Sequence, residues 1–253
     1  MIKLFRNTRK SLIKENQTTK YLLYALGEII LVVFGILIAL QINNWSENRK
    51  QRTIEKVYIE NIKIDLKLNL KSLKNFIAER NNTITSVELV LDFFNAKKTL
   101  DVDAFNFHSL TVMEWYPFEN NDNTYQELLN SGQLSILSNK TMKDSLQNLQ
   151  NNLSIIRFIE SEMEEDYERY LYDKFFEIID LDTSIENLKA QVSKSETLPE
   201  LELTEVKTLL ENRTFKNGFV LAQFNSEDLI VEYKNMMNTT EQIIILINQE
   251  LDK

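Results

Sequence analysis

From Tyr21 to Asn48 the chain carries neither Lys nor Arg, and the 22 residues Tyr21–Ile42, YLLYALGEIILVVFGILIALQI, are apolar except for Glu28 and Gln41. No other feature limits the fold as strongly. As a helix the stretch reaches roughly 33 Å at about 1.5 Å per residue, enough to cross a hydrocarbon core of about 30 Å. Fourteen of its residues are Leu, Ile, Val or Phe. At very roughly −0.4 kcal/mol each, their insertion outweighs the cost of one intramembrane acid, about +2.5 kcal/mol. Tyr21 and Tyr24 at one end and Trp45 at the other sit where amphipathic rings favour the headgroup level, so they are the expected interfacial anchors. A cleaved leader is disfavoured because the run is longer than a typical leader core and ends in Ile38-Ala39-Leu40-Gln41, with no small-x-small site. A helix apolar on every face also fits poorly as the core helix of a soluble protein. The stretch is therefore expected to stay as an uncleaved signal anchor, a single-pass transmembrane helix.

Flanking charge predicts its direction. Residues 1–20 hold six bases (Lys3, Arg6, Arg9, Lys10, Lys14, Lys20) and one acid, Glu15, whereas residues 43–62 hold four bases. The excess of bases before the span places the N-terminus in the cytoplasm. The expected organisation is a basic cytoplasmic tail over 1–20, a transmembrane helix over 21–42 and an extracytoplasmic domain over 43–253. The first 42 residues contain six bases and two acids, which leaves 23 bases, 36 acids and a formal charge of −13 for the rest. Such a domain repels nucleic acid, so the expected partners are the lipid bilayer and other proteins.

Glu28 falls at helical spacing on one face with Leu31, Gly35, Ala39 and Ile42. Gly35 and Ala39 form a small-xxx-small pair that lets a second helix approach closely, so Glu28, Gly35 and Ala39 are the candidate helix–helix contact. That contact is either with a membrane protein partner or with a second copy. Two other readings of Glu28 stay open: a protonated or interface-reaching carboxyl near the boundary, and a proton path.

Beyond the span, composition points to helix nearly throughout. The chain has four Gly, two Pro and no Cys, and no Gly lies between Gly35 and Gly132, whereas a sheet-rich chain would punctuate its turns. Apolar residues recur at Ile54, Tyr58, Ile62, Leu66, Leu70, Leu73 and Ile77, a helical stripe. Within it, IKIDLKLNL (residues 62–70) also alternates as a strand would; helix is expected because the three-to-four spacing continues through both flanks. Further helices are expected over about 82–96, after an N-cap at Asp101 or Asp103, over 124–131 with Gly132 as a left-handed stop, and from Ser138 or Asn139 through Phe175. Trp115-Tyr116-Pro117 should end the second of these. Residues 180–203 read as loop with a short helix inside, followed by helices from Thr204 and from about Thr214 to Leu251. The expected fold is all-α: one N-terminal transmembrane helix followed by an elongated antiparallel helical bundle.

Two blocks carry a family likeness. YALGEIILVVFGILIALQINNW (Tyr24–Trp45), behind the basic opening MIKLFRNTRK, and NTYQELLNSGQLSIL (Asn123–Leu137) resemble the recurring motifs of the bacterial domain of unknown function 6090. The resemblance implies a single-pass protein of the inner (cytoplasmic) membrane of two-membraned bacteria, with a periplasmic helical domain. It supplies no catalytic residue.

Chemical motifs are sparse. His108 is the only histidine, too few for a His-rich metal site. The acids Glu160, Glu162, Glu164, Glu165, Asp166 and Glu168 lack the Gly and oxygen spacing of a calcium loop and read as a solvated helix face. No nucleophile elbow, phosphate-cradling loop or His-Glu-x-x-His is present. Catalytic, cofactor-binding and metal residues are therefore expected to be absent. The one candidate docking surface is the aromatic set Trp115, Tyr116, Phe118 and Tyr125, for which core packing is the competing reading. The expected function is a membrane-anchored scaffold or partner-binding subunit without enzymatic activity, the alternative a ligand-sensing bundle acting through a membrane partner.

Overall fold

The computed structural model describes residues 18–252 and, among them, is built of helices without strands. In chain order these are α1 (Thr18–Phe94), α2 (Val102–Met113), α3 (Asn123–Asn130), a 3-10 turn (Leu134–Ile136), α4 (Lys140–Asp166), a π-helical turn (Tyr167–Tyr172), α5 (Asp173–Ile178), α6 (Leu181–Val192), α7 (Leu203–Glu211) and α8 (Arg213–Leu251). The chain divides into two compact units, Met1–Val57 and Tyr58–Lys253.

In the first unit α1 contains a window of mean hydropathy 2.5 of which no residue is buried. It is long and apolar enough to cross a membrane. Trp45 is exposed, with the Arg49 guanidinium 5.8 Å from its ring centre. Residues 1–17 of the basic tail and the side chains of Tyr21 and Tyr24 lie outside the described residues.

The second unit is organised on three long helical segments. Asn139 at the start of α4 donates to Glu250 at the end of α8, and Asn225 near the start of α8 donates to Asp166 at the end of α4, so these two helices run antiparallel. The 58–94 segment of α1 is also antiparallel to α8: Phe76 packs on Tyr233, and Phe94 on Phe215 and Phe219. It therefore runs parallel to α4, and residues 95–139 make the return crossing through α2 and α3. The core is built on apolar side chains, with Ile59, Leu73, Val87, Ile156, Phe215, Phe219 and Ile243 each 0% exposed.

Ile62 and Leu66 are buried while Ile64 and Leu68 are exposed, as a helix requires; a strand would place all four on one face. No helix break falls between Ile77 and Asn82. The stripe continues through Arg80, Thr83, Val87 and Val90, and with no Gly or Pro present α1 runs on to Phe94. It ends where Ala96 turns to φ 53, with the Lys97 N–H bonded to Asp92 O, a left-handed stop without the usual Gly. The caps at Asp101 and Asn139 follow the sequence, accepting from Ala104 and Met142 N–H, and Gly132 has φ 69; Asn212, not expected as a cap, accepts from Phe215 N–H at the start of α8.

Two local features depart from expectation. The helix begun at Asn139 does not continue as α-helix to Phe175, because the π turn inserts a shift in register that buries Tyr167, Leu171 and Phe175. Gly218 of α8 faces it: a Cβ there would lie 2.5 Å from Leu171 Cδ2 and 3.1 Å from Tyr170 Cβ. Residues 180–203 are dominated by a three-turn helix, α6, held against α2 by a buried amide clasp. Asn106 donates to Ser184 O and Asn187 Oδ1, Ser184 Oγ donates to Asn106 Oδ1, and Asn187 and Gln191 donate to Asp103.

Candidate functional site

The segment between α2 and α3, residues 114–122, is irregular because Pro117 has no N–H and disfavours helix at Tyr116. Two side-chain systems fix it from opposite ends. At the far end Asn69, 0% exposed, donates to Asn120 Oδ1 and Asn121 O and accepts from the Asn121 N–H, while Asp65 accepts from the Thr124 N–H at the start of α3. At the near end the Phe118 N–H donates to Glu160 Oε1 at 2.7 Å, and the Tyr233 O–H donates to the same oxygen at 3.0 Å.

Glu160 is thus not on the solvated face with its acidic neighbours. It is 4% exposed, because α4 places it on the stripe of Ile156 and Met163, beneath the segment. Burial raises its pKa above the usual carboxylate value, against the opposing pull of the Phe118 N–H, the Tyr233 O–H and the charges of Arg80 and Arg157. Burial likewise drives the Tyr167 and Tyr233 phenols far up, which keeps both neutral. The Tyr167 hydroxyl has no hydrogen-bond partner.

Arg80 enters the same neighbourhood from α1. It is 2% exposed, its Nη1 meets only the Met163 thioether at 3.5 Å, and its Nε is without a partner. Among the described residues no carboxylate forms an ion pair with it. A buried guanidinium with a thioether as its sole acceptor is an unusual expense in a folded protein.

Two clefts open on either side of Trp115. One, of about 270 Å³, is lined by Glu79, Arg80, Thr111, Glu114, Trp115 and Tyr116 among others. The other, of about 400 Å³, is lined by Trp115, Pro117, Arg157, Glu160, Glu164 and Tyr172 among others. The Tyr172 hydroxyl donates to Met113 O at 2.8 Å and joins the π turn to the end of α2.

Of the aromatic docking set, the structure keeps only part at the surface. Tyr116 is 64% exposed and Trp115 half-buried, with its ring against Tyr167. Phe118 and Tyr125 are corrected to core residues, each 4% exposed; Phe118 packs edge-on to Phe76, and Tyr125 faces Leu146 and Leu149 beside α4. Phe118 is the residue of the pinned segment that turns inward, whereas Tyr125 lies with Leu128 on the buried face of α3. Gly35 and Ala39 are exposed on α1 and Glu28 is half-buried. His108 is half-buried, with Nδ1 3.1 Å from Ser86 Oγ, and burial followed by the charge of Lys98 lowers its pKa. Arg80 is not singled out by sequence, and Glu160 reads there as part of a solvated helix face, which its burial corrects; the only trace of either is a charged residue recurring on an apolar stripe. Among the described residues no group of three or more His, Asp or Glu is placed to hold a metal ion.

No curated protein and no solved structure matches the chain. A family does: residues 28–222, from the acid in the apolar stretch through both the asparagine-held segment and the π turn, match the family of unknown function DUF6090, and the chain belongs to that family.

Proposed function

We propose that this chain is a membrane-anchored helical protein whose unit Tyr58–Lys253 serves as an extracytoplasmic, partner-binding scaffold in the inner membrane. The observation that carries the reading is the apolar window of α1, with mean hydropathy 2.5 and no residue buried. Exposing that much apolar surface to water is costly at about 25 cal/mol per Å², and lipid removes the cost. Flanking bases support a cytoplasmic N-terminus. Nothing lies within 4 Å of a Cβ added at Gly27 or Gly35, so the small-residue face of α1 offers room for a second helix.

No catalytic step is assigned. Glu160, the carboxyl with a displaced pKa, is held by two donors, the Phe118 N–H and the Tyr233 O–H. The formal charge of −13 beyond residue 42 supports a protein partner over nucleic acid.

The experiment uses the natural absence of cysteine. Gly35→Cys and, on another face, Val33→Cys are introduced singly into the full chain and oxidised in native membranes, with C-terminal tags mapped by protease access. The proposal expects resistance to alkaline carbonate, a tag outside the cytoplasm, and a covalent adduct from position 35 well above that from 33. Release by carbonate or a cytoplasmic tag refutes the anchor; equal or absent adducts refute the helix contact.

A further inference from the structure

The cleft at Arg80 carries a chemical requirement that is independent of where the chain is anchored. Among its lining residues is Arg80, 2% exposed and in no ion pair with a carboxylate among the described residues, with Nε unpartnered and Nη1 on a thioether. Arginine's planar fork suits a carboxylate, which takes two parallel charge-assisted bonds. The same cleft is lined by two acids, Glu79 and Glu114, and by Trp115 and Tyr116.

The signs select the ligand. A simple anion would answer Arg80 but face Glu79, Glu114 and a chain of net charge −9. A simple cation would answer the acids and face Arg80. A molecule carrying both charges a few bonds apart satisfies all three groups. The volume of about 270 Å³ lies just below the about 300–1,000 Å³ of drug-sized sites and suits a metabolite.

The geometry points to a binding site for a small zwitterion of the free α-amino-acid class: its carboxylate on Arg80, its ammonium between Glu79 and Glu114, and its side chain beside Trp115 and Tyr116. Trp115 lies at the wall shared by both clefts and touches Tyr167 of the π turn, so occupancy is expected to alter its fluorescence.

The chain has two Trp, and Trp45→Phe leaves Trp115 as the sole reporter. The full chain carrying this change, in detergent micelles, is titrated with each free α-amino acid. Any that bind are compared with the corresponding carboxylic acid lacking the amino group and the amide lacking the carboxylate. The proposal expects saturable quenching or enhancement by at least one amino acid. Either truncated analogue should bind about tenfold more weakly or worse, the scale of one charge-assisted hydrogen bond. Glu114→Gln, at an exposed position, is expected to weaken binding about tenfold with an unchanged circular dichroism spectrum. Arg80→Gln should abolish it, and is judged only if its spectrum is native; Glu114→Gln decides the matter otherwise. No saturable response from any amino acid, or binding indifferent to Glu114→Gln and to loss of either ligand charge, overturns the proposal.

Discussion

Replacing Gly218 by Ala tests how tightly the π turn is seated against α8. In an unconstrained helix the change should stabilise by about 1 kcal/mol, because Ala is the better helix former. Here the new Cβ would lie 2.5 Å from Leu171 Cδ2, 2.8 Å from Leu171 Cγ and 3.1 Å from Tyr170 Cβ. Leu171 is 0% exposed and has no route to solvent, and Tyr170 Cβ moves only with the backbone. Overpacking of this kind costs about 1–3 kcal/mol, and with more than a side-chain tip displaced the upper half of that range applies. The net expectation is a loss of about 1–2 kcal/mol, or roughly 2–4 °C in Tm for each kcal/mol in a domain of this size. Leu171→Ala alone should cost about 2–5 kcal/mol. In that background the clash with Leu171 is gone and only the 3.1 Å approach to Tyr170 Cβ remains, so Gly218→Ala should lose most of its cost and come close to neutral, the helix-propensity gain of about 1 kcal/mol offsetting what is left. Urea unfolding of the four full-length proteins in detergent, followed by circular dichroism, measures the cycle. A Gly218→Ala that stabilises the parent, or that has the same effect with and without Leu171, refutes the close approach.

Three further outcomes follow from the residues around the candidate site. Asn69→Leu removes the amide that holds the Asn120–Asn121 turn and strands the Asn121 N–H, so a loss of about 2–3 kcal/mol is expected in urea midpoints; a change below 0.5, the ordinary size of a surface substitution at about ±0.5 kcal/mol, would show the clasp to be dispensable. For Glu160, the pKa is raised by folding from 4.5, so the native state holds its proton when the unfolded state has released it. Stability attributable to this group is therefore present below pH 4.5 and declines as pH rises toward the higher native value. Glu160→Gln, which keeps an acceptor for Phe118 and Tyr233, should flatten that decline, and a difference between variant and parent that does not change across this window would contradict the assignment. Ala96→Gly relieves the left-handed backbone at φ 53 and should stabilise by roughly 0.5–1 kcal/mol; thermal melts that show a loss would place the strain elsewhere.

How much was legible in the sequence differs from element to element. The caps at Asp101 and Asn139 and the stop at Gly132 were readable because each is settled within four residues, by a short polar side chain or a missing Cβ. The continuity of α1 past Ile77 was missed because the stripe passes through polar positions there: Arg80 and Thr83 are 2% and 4% exposed, yet neither looks like a core residue in sequence. The helix α6 was under-read for a similar reason. Its buried face is polar, Ser184 and Asn187, and becomes a face only when Asn106 and Asp103 of α2 meet it.

By itself the sequence determined the apolar span, the all-helical class and most helix ends, since these depend on local periodicity, on hydropathy summed over a contiguous run and on capping chemistry. Only tertiary structure decided that Glu160 leaves an acidic run to lie under Phe118 and Tyr233, that Phe118 and Tyr125 are core while Tyr116 is surface, and that Arg80 ends without a carboxylate beside an open cleft. Those outcomes depend on which groups from residues 42 to 83 positions away arrive at the same point. Burial and electrostatic partnership are properties of that arrival, and spacing along the chain does not encode them.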